Sequence, residues 1–165
     1  MDIRPLQPED PPVIGAAFDE IGWNKPVSQY ERYLQEQRDG TRDVLVAWVD
    51  GEFAGYVTVR WESPYEPFNG IPEIQDFNVL PKLRRQGIGS SLMDAAEALV
   101  ATRSDVVGIG VGLYSHYGSA QRMYVRRGYI PDGRGLIYAG RQVEPIAMVC
   151  NDDDLTLMFT KTLKH

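Results

Sequence analysis

The strongest constraint on the fold comes from residues 73–101, where a strand-like run is followed by a proline, a glycine-rich turn and a helical pattern. The run "EIQDFNVL" reads as a strand, and Pro81 ends it because proline cannot donate to a β-ladder. After the turn "RRQGIGSS", apolar residues recur at helical spacing and predict a helix that begins around Gln86 or Gly87. A strand that leads directly into an amphipathic helix is typical of a mixed α/β domain.

The rest of the chain supplies further strands and helices in an irregular order. Two β-rich runs meet at Asp50–Gly51, which is a strong hairpin signal. The run "DVVGIGVGLY" is apolar on both faces and predicts a central strand that is covered on both sides. The full prediction is strand, two helices, three strands, helix, strand, helix and two strands, with "GRQVEP" as a loop near the end. Because the length suits one hydrophobic core and no linker interrupts the pattern, we expect a single domain over residues 1–165.

Charge and composition exclude several classes of protein. The net charge of −6 argues against a general nucleic-acid binder, which needs a basic face, and suits a cationic partner instead. Cys150 is the sole cysteine, so no intrachain disulfide is expected. We expect a cytoplasmic protein without membrane contact, since no signal-like or spanning apolar run occurs. His116 and His165 have no partners at metal-ligand spacing, and no metal site is predicted.

The glycine-rich turn has the features of an anion site. A helix N-terminus exposes unpaired N–H groups and about half a positive charge, and glycines at 87 and 89 let a phosphate approach the backbone. Four flanking side chains add donors: Arg84, Arg85, Ser90 and Ser91. The alternative interpretation is that Gly87 only forms a tight turn between strand and helix.

Two well-known nucleotide motifs do not fit this turn. A P-loop needs Lys followed by Ser or Thr after its last glycine, and no such pair follows here. A dinucleotide-binding fingerprint needs a third glycine where this chain has Leu92. An enzyme that binds ATP or NAD is therefore the weakest of the hypotheses.

The segment "VLPKLRRQGIGSSLM" resembles motif A of the GCN5-related N-acetyltransferase (GNAT) superfamily, R/Q-x-x-G-x-G/A at a strand-to-helix turn. A later stretch of this chain, residues 120–129, resembles a second motif of that family, A-x-x-x-Y-x-x-x-G-F/Y. The matching residues are Val79, Pro81, Arg84, Gly87 and Gly89 in the first motif, and Ala120, Tyr124, Gly128 and Tyr129 in the second.

The resemblance implies an α/β (α+β) fold of the GNAT type. Such a fold has a central mixed, mostly antiparallel sheet of six to seven strands that splays between the fourth and fifth strands, flanked by about four helices. The implied activity is transfer of an acetyl group from acetyl-CoA to a primary amine of a small molecule or a peptide, without a metal. A non-catalytic acyl-CoA-binding module is the alternative, and a homodimer is an open alternative to a monomer because dimers are common in the family.

The resemblance also implies which residues hold the co-substrate. The strand before the turn would bind the pantetheine arm and acetyl carbonyl, and the turn would bind the pyrophosphate. The strand residues are Phe77, Asn78 and Val79, and the turn residues are Arg84, Arg85, Gln86, Gly87, Ile88, Gly89, Ser90 and Ser91. Tyr117 stands where the family often has an asparagine that contacts the cofactor arm, which leaves Ser119 as a candidate replacement.

Acetyl transfer needs a base for the amine and an acid for the leaving thiolate. Tyr124 occupies the family's tyrosine position and is the candidate acid; the alternative is a core tyrosine. Glu73 is the preferred base, acting through water, and Asp76 is the second candidate, although either carboxylate could equally be a solvated strand residue.

The amide of Gln75 cannot act as a base. Strict alternation would place residues 73, 75, 77 and 79 on one face of the strand and residues 76 and 78 on the other, unless a bulge shifts the phase.

Overall fold

The computed structural model describes residues 1–163, so His165 lies outside the described residues. The strands and helices follow the predicted order, with one strand more than expected. The strands are β1 (Asp2–Pro5), β2 (Arg42–Val49), β3 (Glu52–Arg60), β4 (Glu73–Val79), β5 (Val106–Gly112), β6 (Ile130–Tyr138), β7 (Arg141–Gln142) and β8 (Leu155–Thr162). The α-helices are α1 (Asp10–Glu20), α2 (Val27–Asp39), α3 (Ile88–Ala101) and α4 (Gly118–Arg126), with single 3₁₀ turns at Glu66–Phe68, Pro81–Leu83 and Ser115–Tyr117.

The strands form one sheet in the order β1-β2-β3-β4-β5-β8-β6-β7. Every neighbouring pair is antiparallel except β4 and β5, which confirms a mixed, mostly antiparallel sheet. The prediction of six to seven strands is wrong by one, because the sheet formed by residues 1–163 has eight. The additional strand, β7, lies in the segment predicted as a loop and pairs with the end of β6 through Ile137–Gln142 and Tyr138–Arg141. Two residues are too few to show an alternating pattern.

The sheet opens between its two parallel strands. β4 and β5 pair only at Glu73–Gly108 and Ile74–Ile109, and beyond these pairs the strands separate. The predicted splay between the fourth and fifth strands is therefore confirmed. As a result, the edge of β4 from Gln75 to Val79 faces a gap instead of a neighbouring strand.

Helices cover both faces of the sheet. The apolar stripe of α3, with Leu92, Met93 and Ala96 fully buried, packs against one face of the sheet. Helices α1 and α2 cover the other face with a hydrophobic cluster of aliphatic and aromatic residues that includes Phe18 and Tyr30. The candidate site lies at the gap between β4 and β5, which connects the two faces of the sheet.

A β-bulge in β4 changes which residues share a face. Thr58 of β3 pairs with Gln75, whereas Tyr56 pairs with Asn78, so two β4 residues stand opposite one residue of β3. Asp76 lies within this bulge and has φ of +49°. The extra residue shifts the alternation, as bulges do.

The facial assignment made by strict alternation is therefore wrong. Glu73 and Gln75 lie on the same face as Asp76 and Asn78, toward α2, where their side chains bond to one another and to residues of α2, β2 and β3. Of the four residues predicted to share a face, Phe77 and Val79 lie on the opposite face of β4 and pack toward α3.

Strand β5 is covered on both sides, as predicted from its composition. Val107, Ile109 and Val111 enter the α3 core. The intervening positions are glycines on which larger side chains rest directly. A Cβ atom would lie 2.3 Å from the Phe68 ring at Gly108, 2.6 Å from the Met158 Sδ at Gly110 and 2.3 Å from the Tyr117 ring at Gly112.

Candidate active site

A cleft of about 990 Å³ passes through the gap between β4 and β5. On the side of α3 and α4 its lining includes Phe77, Gly89 and Tyr124. On the side of α2 the lining includes Glu73, Tyr65 and Met158. The cleft therefore gives two molecules access to one point from opposite faces of the sheet.

The glycine-rich turn presents a continuous set of backbone donors to one end of this cleft. Within residues 1–163, the N–H groups of residues 85 to 90 have no acceptor, and the first helical bond runs from Ser91 N to the Gly87 carbonyl at 3.0 Å. Arg85 and Gly87 both have positive φ, +62° and +83°, which turns successive N–H groups outward. Such a concave array is suited to a phosphate or pyrophosphate.

The two glycines of the turn, Gly87 and Gly89, are required for different structural reasons. Gly87 is the N-cap of α3, and a Cβ there would meet nothing within 4 Å, so its backbone angle is what requires glycine. At Gly89 a Cβ would lie 3.1 Å from Phe77 and 3.3 Å from Met123. Gly89 therefore allows Phe77 to pack against the start of α3, which the sequence did not reveal.

The structure brings most of the predicted co-substrate residues to the cleft. The lining contains Phe77, Asn78, Val79, Arg84, Arg85, Gly87, Gly89, Ser90 and Ser119. Gln86, Ile88 and Ser91 lie outside this lining, and the Ile88 side chain is packed in the core. These three residues could contribute backbone N–H groups only at Gln86 and Ile88, because the Ser91 N–H is already used within the helix.

We expect Gly87→Leu to raise KM for acetyl-CoA by about 10- to 100-fold. A leucine at φ of +83° is strained by roughly 1–3 kcal/mol, and relief of that strain would turn the donor N–H groups away. Steady-state kinetics with varied acetyl-CoA would measure the change. Gly40→Leu is the matched control because Gly40 has φ of +80°, has equally open surroundings and caps α2 away from the cleft. An unchanged KM in Gly87→Leu would contradict a role for this turn in binding.

Tyr124 lies on the α3 and α4 side of the cleft with a hydroxyl that has no hydrogen-bond partner among residues 1–163. Its side chain is 5% exposed, and this burial raises the pKa of the phenol well above its usual value. The neighbouring Tyr129 differs, since its hydroxyl donates to Glu97 at 2.9 Å. Tyr129 behaves as a core tyrosine with a satisfied hydroxyl, whereas Tyr124 keeps its proton and its donor capacity for a ligand in the cleft.

Glu73 lies at the point where β4 and β5 part, on the other side of the cleft. It is 7% exposed and accepts hydrogen bonds from the Ser63 hydroxyl and from Gln75 Nε2, the latter at 3.0 Å. Gln75 is oriented in turn because its Oε1 accepts a bond from Arg42 Nη1 at 3.3 Å. The sequence indicated that Gln75 cannot be a base; the structure shows that it holds the carboxylate beside it.

Asp76 has a different environment from Glu73, although both belong to β4. Its two oxygens accept bonds from five side chains of α2, β3, β4 and the segment before α2. The donors are Tyr56 at 2.7 Å, Tyr33, Gln29 and Asn78 at 2.9 Å, and Lys25 at 3.3 Å. Burial together with the nearby Asp76 charge raises the pKa of Tyr33 to about 12.

Tyr117, which replaces the asparagine frequent in the family, is turned toward the acidic segment before β8. Its ring lies over Gly112, and its hydroxyl donates to Asp153 at 2.7 Å. Tyr114 also donates to Asp153, and the two phenols lower the pKa of that carboxyl. Since Tyr117 and Asp153 are 36 residues apart, no local pattern could have revealed this contact.

Two general features concern the expectations about a metal site and about membrane contact. In the range 1–163, no three or more His, Cys, Asp or Glu side chains form a group that could hold a metal ion. No helix in this same range is long and apolar enough to cross a membrane.

Comparison with known proteins agrees with this geometry. The model of the acetyltransferase (GNAT) family matches residues 5–129. An uncharacterized N-acetyltransferase of Archaeoglobus fulgidus is 37% identical over 75 residues, which cover 44% of this chain and 48% of the relative. The match therefore spans about half the length of that relative.

Solved structures share the fold over nearly the whole chain. A ribosomal-protein-alanine N-acetyltransferase from Brucella melitensis superposes with a TM-score of 0.72 at 20% identity, covering 99% of this chain and 100% of that one. An N-acetyltransferase from Staphylococcus aureus superposes with a TM-score of 0.74 at 13% identity, covering 99% and 98%. At these identities the likeness concerns the fold.

The fold and the cleft thus define a mixed α/β scaffold whose parallel strand pair is split. The chain belongs to the acetyltransferase (GNAT) family, whose members are acetyl-CoA-dependent acyltransferases, and the resemblance seen in the two sequence motifs is confirmed.

Proposed function

We propose that this protein is an N-acetyltransferase that moves an acetyl group from acetyl-CoA to a primary amine by direct transfer. The observation that carries the proposal is the cleft through the sheet, with Tyr124 on one side, whose hydroxyl has no partner in the described part of the chain, and the buried carboxylate of Glu73 on the other. An acid and a base on opposite faces suit a reaction in which donor and acceptor arrive from opposite directions.

The proposed mechanism assigns one proton to each of these residues. The amine nitrogen attacks the thioester carbonyl carbon, the new C–N bond forms, and the C–S bond breaks. Glu73 accepts the proton of the amine through a water molecule. Tyr124 gives its proton to the departing sulfur, which its raised pKa allows because the phenol is protonated at neutral pH.

The edge of β4 would orient the acyl group before this transfer. From Gln75 to Val79 the strand pairs with no other described segment on its β5 side, so its backbone groups face the cleft. N–H groups aimed at the carbonyl oxygen would stabilise the charge that develops there. The turn of residues 85–90 would hold the pyrophosphate by its free N–H groups.

We further propose that the amine acceptor is cationic. Glu73, Asp153 and Asp154 all line the cleft, and within the described range Asp153 and Asp154 have no ion pair with a lysine or arginine. Because two tyrosines lower the pKa of Asp153, this carboxylate stays ionised at neutral pH and attracts positive charge.

The single-domain organisation over residues 1–165 and the cytoplasmic location also stay predictions, and the homodimer stays an open alternative to a monomer.

An acceptor screen tests the activity. Thiol release from saturating acetyl-CoA would be followed over a panel of diamines, amino acids and peptides with free N-terminal or lysine amines, with neutral and acidic amines as matched comparisons. We expect turnover with cationic acceptors and a rate that falls as salt is raised. Binding of CoA without turnover on any amine would overturn the enzymatic proposal and support a non-catalytic acyl-CoA-binding module. Thermal protection by ATP or NAD, but not by CoA, would overturn both.

A further inference from the structure

The carboxylate of Asp76 is the centre of a polar cluster that links two parts of the chain across the cleft's wall. Three of its donors, Lys25, Gln29 and Tyr33, come from the segment between α1 and α2 and from α2, 43 to 51 residues away in sequence. The other two, Tyr56 and Asn78, come from the neighbouring strand and from β4 itself. One side chain therefore joins α2 and the segment before it to the strand that borders the cleft.

The backbone of Asp76 needs such support. Its φ of +49° lies in the left-handed region, which a residue other than glycine adopts at a cost that its surroundings must offset. Aspartate tolerates this region better than most residues because its short polar side chain can bond locally. The bulge and the carboxylate cluster thus stabilise each other.

The bulge decides how β4 faces the cleft. It sends Phe77 and Val79 toward α3, beside the phosphate-binding turn, while Asp76 and Asn78 stay on the α2 side. Without the extra residue, every position after it would change face. The orientation of the cleft-facing edge therefore depends on the conformation of Asp76.

The occupancy of the carboxylate argues against a role in proton transfer. Oδ2 already accepts bonds from Gln29, Tyr33 and Tyr56, and Oδ1 accepts bonds from Lys25 and Asn78. A general base needs a lone pair within reach of the substrate proton or of a bridging water. Asp76 has no lone pair left for this purpose, because its two oxygens already accept five hydrogen bonds. Glu73 accepts bonds from Ser63 and Gln75 and so has fewer partners.

We propose that Asp76 is a positioning residue, which holds the β4 bulge in place against α2 and the segment before it and so orients the cleft-facing edge for acyl transfer. This inference rests on the proposed function and replaces the earlier hypothesis that Asp76 is the second candidate base. Its effect is on the geometry of the reacting groups, and the phosphate-binding turn lies on a separate segment. Small displacements of reacting groups cost rate more than affinity.

Asp76→Gly removes the carboxylate and still allows the positive φ of this position, because glycine adopts positive φ freely. The variant therefore tests the side chain apart from the backbone conformation. We expect kcat to fall by about 10- to 100-fold, while Kd for CoA, measured by calorimetry, changes by less than about threefold. The acid limb of the pH–kcat profile should keep its midpoint. Loss of that limb in Asp76→Gly would identify Asp76 as the base and overturn the proposal, as would a kcat equal to that of the wild type.

Graded variants exclude a merely structural effect. Asp76→Asn keeps the shape, tolerates positive φ and retains one acceptor oxygen, so it should recover part of the lost kcat. Tyr33→Phe removes one of the five donors and should lower kcat by only about two- to fivefold. Asp94→Ala, which removes an exposed α3 carboxylate paired with Arg127, is the control and should match the wild type. An Asp76→Asn variant no better than Asp76→Gly would contradict the proposed role of the side chain.

Amide hydrogen exchange tests the same inference without an acceptor and without turnover. Asp76→Gly should raise exchange in peptides over residues 73–80 and 25–33 together, and Asp94→Ala should raise it in neither. Unchanged exchange in either segment would show that the carboxylate does not join them and would overturn the coupling. If the wild type acetylates no amine, the proposed function fails, while the exchange result still decides whether Asp76 holds the bulge.

Discussion

Replacing Tyr124 with phenylalanine should lower kcat for acetyl transfer by about 100- to 10,000-fold and leave the KM for acetyl-CoA nearly unchanged. The ring would remain in place to fill the core of α4, so binding and folding would be preserved. What would be lost is a single hydroxyl, which has no hydrogen-bond partner within residues 1–163 and belongs to a residue that lines the cleft. Without it, the thiolate would have to leave unprotonated.

Pre-steady-state and steady-state kinetics on the best acceptor would measure this effect. Tyr129→Phe is the matched control, because Tyr129 is a neighbouring buried tyrosine, with its ring centre 5.8 Å from that of Tyr124, and its hydroxyl is engaged by Glu97. The control should reduce thermal stability and leave kcat close to that of the wild type. Equal kcat values for Tyr124→Phe and the wild type would remove Tyr124 from the mechanism. Since burial raises the pKa of Tyr124 above 10, this residue should cause no loss of rate between neutral pH and pH 10.

Replacing Glu73 with glutamine should lower kcat/KM at neutral pH by about 100-fold. Glutamine has the same shape and can still bond to Ser63, but it cannot accept the proton of an incoming ammonium group. The defect should shrink as pH rises toward the pKa of the acceptor amine, because a growing fraction of the acceptor is then already deprotonated. A pH–rate profile of wild type and variant on one acceptor would measure both the size and the slope of the difference.

Glu52→Gln provides the comparison for this experiment, since Glu52 is an exposed carboxylate at the start of β3, away from the cleft. It removes the same charge without touching the site and should leave the profile unchanged. A constant defect across the pH range in Glu73→Gln would indicate that Glu73 only positions the acceptor. A variant as active as the wild type would assign the proton transfer to another group.

Most of the fold could be predicted because its elements carry long local patterns. The apolar stripe of α3 and the continuous apolar run of β5 identify their elements without reference to the rest of the chain. The two-residue strand β7 could not be predicted, because its pairing with β6 is too short to leave a pattern.

The site was predictable only in part, for a similar reason. The backbone turn at Gly87 and the position of Tyr124 follow from local motifs. The bulge at Asp76 depends on the register between β3 and β4 and on donors from α2, so strict alternation assigned Glu73 and Gln75 to the wrong face. The contact of Tyr117 with Asp153 likewise depends on tertiary structure.

The glycines of β5 separate the parts of the chain that would serve the two substrates. Because Gly110 contributes no side chain, Met158 of the last strand packs over it and lines the cleft, whereas Phe68, from the 3₁₀ turn before β4, packs over Gly108 and is only 1% exposed. The groups proposed to bind the co-substrate lie between these segments in sequence. Under the proposed function, we therefore expect substitutions at Met158 to change the acceptor preference and to leave the proposed co-substrate groups unchanged.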